Sequence, residues 1–509
     1  MAIRRYWATK DNTITNAYET NLTTRATGSN MGAADILETF RIYGQKTSGT
    51  GEAANESMRF LIQFPVTGSE VYAEGMRSIK QDRVLGKIPA SGSVNFYLKL
   101  YNAPHSQTTP RNLKLVAAIL NRDWEEGEGL DMDNFTDTND GRPGSDWISA
   151  SYGTTWTTPG GDWDYDDSSG VTASFDRGVE DMEVNVTPLV EKWIAGTKNN
   201  YGVIVRLDPQ LSDTSNFRSY YTKKFWGRTS EHFIYRPVIE ARWDSAVKDD
   251  RGNFYYSSSL ATESDNLNTL YFYNFVRGRL RSIPLDADQQ VVVALYEATG
   301  ATNPFLLAKG GNVAAAGNVY ATASQTSTTG IYSVSLSMTG STTAHSTIKD
   351  VWHIEDTTSE TTTQFFTGSI IPRSADSSIM SNNINYVLAV PNLKKKYHRT
   401  DEDRIRLYAR EKDWSPTIYT RANNTIENTI IHSASYRITR DADDFEIIPF
   451  GTGSDMHTLM SHDVSGNYCD IDFRMLEAGF SYTLDFSFYD QAISAWVVQP
   501  NKFRFRIEE

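Results

Sequence analysis

Three observations predict an all-β chain: an N-terminal jelly-roll β-sandwich with one short helix, then two smaller immunoglobulin-like β-sandwiches. Apolar residues recur at every second position in one segment after another. Aromatic residues make up 12% of the chain, with 27 Tyr, 23 Phe and 11 Trp, and this enrichment favours pleated surfaces over helices. No stretch after Asp244 carries a helical period longer than about ten residues.

The segments justify this in order. Met58–Val66 alternates Phe60, Ile62 and Phe64 with Arg59, Leu61 and Gln63, as a half-buried strand does. Val94, Phe96, Leu98 and Leu100 repeat the pattern, as do Leu113, Leu115, Ala117 and Ile119, and then Met182, Val184 and Val186. Thr187 suits an N-cap and Pro188 the first helical turn; Leu189, Val190, Trp193 and Ile194 share one face, and Gly196 is placed to stop the helix. YGVIVRLD, FRSYYTKKF and RPVIEARW resume strand character, completing a module over 1–245. The polar run 245–268 marks a boundary. Strand patterns such as QVVVALYEA and IYSVSLSM place a second sandwich over 250–373, and RIRLYAREKD, SYTLDFSFYD and KFRFRIEE place a third over 374–509.

One stretch stands outside this order. Asn121–Asp166 sets four tryptophans (Trp124, Trp147, Trp156, Trp163) among glycines and acids, with no periodicity, between two strand patterns. A long irregular segment in a compact domain is functional or is packed by its own side chains. Trp147, Trp156 and Trp163 are candidates for a carbohydrate-binding platform, because the apolar face of a sugar stacks on aromatic rings. The alternative is that they plug the open end of the sandwich. Asp131, Asp133, Asp137 and Asp140 are candidate ligands for a structural Ca²⁺, although their spacing is not that of an EF-hand loop. Asp162, Asp164, Asp166 and Asp167 form a second acidic group. The alternative for both groups is solvated loop charge.

Composition bounds the function. A formal net charge of −14 argues against nucleic acid, which needs a basic face. The one basic run is Lys394, Lys395, Lys396 and Arg399, read as a solvated turn or a contact to an acidic neighbour. No apolar run follows Arg4–Arg5 and none reaches 18 residues, so neither an export signal nor membrane insertion is expected. The single cysteine, Cys469, fits assembly in a reducing cytosol. None of the metalloprotease, serine-hydrolase, phosphate-loop or dinucleotide fingerprints is present, so no catalytic residue is assigned. Glu125 and Glu126, by their position, are where a glycoside-cleaving carboxylate pair would first be sought.

Two resemblances extend this reading. Over roughly 11–244, DNTITNAYETN, RFLIQFPV, DWEEGEG, TTWTTPGGDWD, VNVTPLVEKWIAGTKNNYGVIVRL and YRPVIEARW resemble the DNRLRE-type domain, a jelly-roll related to carbohydrate-binding modules. That resemblance implies contact with polysaccharide, in a family usually found in secreted or surface-anchored bacterial and archaeal proteins, from which the missing export signal departs. In the C-terminal half, GIYSVSLSM, IKDVWHIED, INYVLAVPNLKKKY and FRFRIEE resemble structural proteins of tailed bacteriophages. The resemblance implies a virion protein assembled in the host cytoplasm. Its partners would be other virion proteins and copies of itself, with host-surface polysaccharide as a further contact, and its place would be at the tail, neck, baseplate or capsid surface. The competing expectations are a bacterial carbohydrate-binding accessory protein and a polysaccharide hydrolase.

Overall fold

The computed structural model describes residues 2–46, 53–72, 75–104, 112–130, 132–139, 141–164, 170–208, 219–259, 261–287, 289–305, 307–308, 319–326, 328–338, 345–356, 362–374, 385–413, 418 and 428–509. The chain is mostly β, with several antiparallel sheets, one of them curled into a half-barrel. It divides into two compact units, Ala2–Trp243 with Arg474–Glu477, and Asp244–Phe473 with Ala478–Glu509.

The first unit runs β1 (Ile3–Trp7), β2 (Lys10–Thr15), β3 (Ile36–Lys46), β4 (Ala53–Gln63), α1 (Ile79–Val84), β5 (Asn95–Leu100), β6 (Leu113–Ile119), β7 (Ser149–Ser151), β8 (Thr154–Thr155), β9 (Gly170–Phe175), β10 (Met182–Asn185), α2 (Thr187–Ala195), β11 (Val203–Leu207), β12 (Ser219–Trp226) and β13 (Val238–Arg242). A four-stranded sheet has the order β1-β13-β5-β10. A seven-stranded sheet has the order β12-β3-β4-β11-β6-β9, with β2 added beside β4. The alternating residues identified above meet between the two sheets: Phe60, Ile62 and Phe64 from β4 and its end, Phe96, Leu98 and Leu100 from β5, Leu113, Leu115 and Ala117 from β6. At roughly 1.5–3 kcal/mol for each large apolar side chain buried, this shared interior is the main stabilising term of the unit.

Helix α2 seals one edge of that interior with Leu189, Val190 and Trp193, and Gly196 ends it in the left-handed conformation at φ 75°. Thr187 does not cap it. The cap position falls on Val186, and the Thr187 hydroxyl accepts the backbone N–H of Phe96 at 2.8 Å, fastening the helix to β5. A second helix, α1, joins the single one expected. The Ser78 hydroxyl accepts the N–H of Gln81 while the Gln81 side chain accepts the N–H of Ser78, a reciprocal capping box that makes six residues hold as a helix.

The second unit carries two further pairs of sheets. In one pair, strands Asn268–Tyr273 and Ile331–Met338 face strands Gln289–Tyr296 and Lys349–Asp356 across Leu270, Phe272, Val291, Val293, Leu336 and Trp352. In the other, a four-stranded sheet centred on Glu402–Glu411 and Gly466–Asp472 accompanies a six-stranded sheet centred on Ser481–Asp490. A polar joint links the two pairs: the carboxyl of Asp250 meets the buried ring of His462 at 3.2 Å, and Arg251 bridges Asp249 and Asp350 at 3.0 and 2.6 Å. No helix among the described residues is long and apolar enough to cross a membrane.

Candidate functional site

The aromatic and acidic excursion lies on the outer face of the seven-stranded sheet. Along β4 and β11 the side chains that point away from the main core are Arg59, Leu61, Ile204 and Arg206, and Leu61 and Ile204 are too apolar to be left in water. The excursion covers them. Trp147, Trp156 and Trp163, with 7%, 4% and 5% of their surface exposed, pack with Trp124, Ile14, Leu61, Ala118 and Ile204 into a second apolar core. The expected plug at the open end of the sandwich is therefore a cover over one sheet.

Charged side chains occupy the ring faces in this core. The Arg59 guanidinium sits 4.8 Å from the ring centres of both Trp147 and Trp163, and donates to the carbonyl of Gly160 at 2.9 Å. Arg206 approaches Trp163 at 5.1 Å. Desolvated cation–π contacts of this kind contribute on the order of 1–2 kcal/mol each. The indole N–H of Trp156 donates to the carbonyl of Asp146 and that of Trp124 to the carbonyl of Tyr201, each at 2.9 Å. A ring that stacks on a sugar must turn a face outward. These rings face the interior, and Arg59 holds the stacking position between two of them.

Two asparagines fasten the excursion. The Asn12 amide on β2 donates to the carbonyl and hydroxyl of Ser145 at 2.8 Å, and its carbonyl accepts the N–H of Met31. The Asn30 amide donates to the same Ser145 carbonyl at 2.9 Å, and its side-chain oxygen accepts the N–H groups of Gly32 and Gly129. This explains the glycines of DWEEGEG. A Cβ at Gly127 would lie 1.6 Å from the side-chain oxygen of Asn30, and one at Gly129 would lie 1.7 Å from its backbone oxygen.

The acids separate into three cases. Asp131, Asp140, Asp166 and Asp167 lie outside the described residues. Asp133 is exposed, and Asp137 accepts the N–H of Leu130 at 2.8 Å. Among the described residues, no group of three or more His, Cys, Asp or Glu is placed to hold a metal ion. Asp162 and Asp164 bind their own loop: Asp162 accepts the N–H groups of Thr157 and Thr158 and pairs with Arg122 at 2.9 Å, and Asp164 pairs with Lys198 at 2.8 Å. Burial would raise both carboxyls, but these donors outweigh it and hold them below the usual carboxylate range. Two members of the basic run are paired within their own unit, Lys394 to Asp403 at 2.8 Å and Lys396 to Glu508 at 2.6 Å.

Glu125 and Glu126 sit at the rim. Glu125 accepts the N–H of Tyr152 at 3.2 Å. Glu126 takes two hydrogen bonds from the Arg228 guanidinium, at 3.1 and 2.8 Å, and one from the N–H of Asp11. Beside it is a residue that the sequence reading missed. Asp11, 1% exposed, accepts the N–H of Arg228, and burial with the neighbouring Glu126 pushes its carboxyl up to about 7. The local sequence KDNTIT gives no sign of this, because its polar residues look solvated while the structure buries them.

The raised Asp11 carboxyl has a thermodynamic consequence. The folded chain holds a proton there that the unfolded chain releases near pH 4, so this contribution to stability is complete below about pH 4 and is lost as the pH rises through about 7. Asp11→Asn keeps an acceptor for Arg228 and removes the titration. The variant is expected to be more stable than the parent at pH 8 by a few kcal/mol, roughly 1.4 kcal/mol per pKa unit, with a smaller difference at pH 5. Chemical denaturation at the two pH values checks this, and parallel curves would refute it.

Comparison with known proteins adds little. No protein-family model matches the chain, and no curated protein matches it. Among solved structures, a DUF4785 family protein from Legionella pneumophila aligns over 82% of this chain and 90% of its own, at 6% identity and a TM-score of 0.14. Native alpha-2-macroglobulin from E. coli aligns over 97% of this chain and 28% of its own, at 8% identity and a TM-score of 0.14. Likenesses of that size bear on neither fold detail nor function.

Proposed function

We propose that the chain is a structural protein of a tailed-bacteriophage particle, acting through protein–protein assembly rather than chemistry. In this reading the N-terminal sandwich is a jelly-roll module and the two C-terminal sandwiches are immunoglobulin-like assembly modules, made in the host cytoplasm and carried on the virion. The observation that carries the reading is the Trp147–Arg59–Trp163 stack. The Asn121–Asp166 excursion, where a ligand site would be sought first, turns its aromatic faces onto Arg59 and the sheet beneath. The resemblance of the C-terminal strands to virion proteins supports the same reading.

Mass spectrometry of purified particles, with cryo-EM localisation, tests it. The expected result is stoichiometric copies of the chain at one place on the particle. Particles that lack the chain would end this reading and return attention to a carbohydrate-binding role for residues 1–245.

A further inference from the structure

The second unit presents a hairpin whose tip is exposed, with Phe275 stacked on Tyr273 at 6.5 Å between ring centres. Phe275–Val276 pairs with Arg279–Leu280 as a two-stranded sheet of its own. Arg277 and Gly278 join the strands with φ of 51° and 73°, the two positive values of a type I′ turn. The base is firmly held: the N–H of Arg281 donates to the carbonyl of Asn274, the Asn274 amide returns to the carbonyl of Arg281 at 2.7 Å, and the N–H of Ile283 donates to the Tyr332 hydroxyl at 2.8 Å.

The tip is apolar and cationic. Phe275 is 61% exposed and Val276 50%, and Arg277, Arg279 and Arg281 are exposed beside them. Among the described residues none of the three arginine side chains meets a carboxylate, and no acidic residue occurs from Asn266 to Leu285. Exposed aromatic and arginine side chains on a fixed support are what the energetic centres of protein interfaces are made of. In a chain of net charge −14, this is a local concentration of the opposite sign.

The same chain offers the complement. Asn121–Asp166 contains twelve acidic residues against two arginines. Of these acids Asp123, Glu125, Glu128 and Asp133 are exposed among the described residues, and Leu130, Ile148 and Tyr152 are exposed apolar residues on the same excursion. We propose that the Phe275–Arg281 hairpin of one copy docks on the acidic excursion of a second copy. This rests on the assembly reading above and deepens it by naming the partner. The two surfaces differ, so the contact is head-to-tail: of two joined copies one keeps a free excursion and the other a free hairpin, and association continues into a ring or a filament.

Sedimentation velocity of the purified full chain over a range of concentrations tests this. Oligomers are expected at low ionic strength and their loss at ~1 M salt, where charges are screened beyond about 3 Å. Arg277→Glu with Arg279→Glu and Arg281→Glu should weaken association at least ~100-fold, because like charges then face each other. Glu125→Lys with Glu128→Lys and Asp133→Lys should do the same from the other side. All six positions are exposed, and far-UV circular dichroism checks that each variant folds. Mixing the two variants should restore association that neither shows alone. A parent that stays monomeric at every salt concentration overturns the inference, as does a hairpin variant that associates like the parent or a mixture that stays monomeric. Particle localisation is read independently: monomers from a chain found on particles overturn only this contact, and oligomers of a chain absent from particles overturn only the virion reading.

Discussion

Glu240→Ala is expected to destabilise the Ala2–Trp243 unit by about 3–5 kcal/mol, because it leaves buried cations without their counter-charge. Glu240 is fully buried on β13, with Arg5 and Arg242 each at 2.7 Å and Lys99 at 3.9 Å. Arg242 reaches on to Glu183 at 2.7 Å. Burial alone would raise the Glu240 carboxyl, but Lys99, Arg5 and Arg242 outweigh it and hold the carboxyl far below the usual range. The sign follows. The contribution is present above the ordinary glutamate pKa of about 4.3 and is lost as the pH falls through the depressed folded value. Urea denaturation at neutral pH should show the full loss, and the difference between variant and parent should narrow in strong acid. Replacing Arg5 by Met together with Glu240 by Leu should cost less than Glu240→Ala alone. A loss for Glu240→Ala below about 1 kcal/mol, the scale of a surface pair, would mean that water reaches these cations.

Trp163→Ala is expected to cost a further 3–5 kcal/mol or so, the usual range for removing a buried large aromatic. The loss has two parts. Packing against the outer face of β4 and β11 disappears, and Arg59 and Arg206 lose the ring they both approach. A double-mutant cycle with Arg59→Met separates the parts, with a coupling of about 0.5–2 kcal/mol expected for the cation–π share. Unchanged stability in Trp163→Ala, together with weakened polysaccharide binding, would instead support the sugar-platform role.

What could be read from the sequence divides along physical lines. Strands whose two faces differ announced themselves: Phe60, Ile62 and Phe64 are in the core as their spacing predicts. The α2 segment was legible from Pro188, its apolar face and Gly196, while the exchange of Thr187 from cap to sheet tie was not, because the competing donor, Phe96, is 91 residues away. The α1 capping box was present as Ser78 and Gln81 and could have been found locally. The outer face of β4 could not. Arg59 and Leu61 have the pattern of a solvated side, and only a distant segment folding over them makes them interior. The same holds for Asn30, whose importance depends on Gly127, Gly129 and Ser145, and for Asp11, whose raised carboxyl comes from Glu126 and from burial that its neighbours in sequence do not reveal.

The pairing of the first unit's first strand with its last has a consequence for synthesis. β1 hydrogen-bonds to β13 and to no other strand among the described residues, and its Arg5 stands 235 residues from Glu240. At about 5–20 residues per second, a ribosome needs on the order of ten to fifty seconds to supply the partner. The tie between Asn12 and Ser145 waits as well, across 133 residues. Such non-local pairings make folding slow, since the loop between them must be ordered before either contact stabilises anything. Throughout that interval the nascent chain carries Ile3 and Tyr6 on an unpaired edge, the kind of segment that aggregates or engages a chaperone.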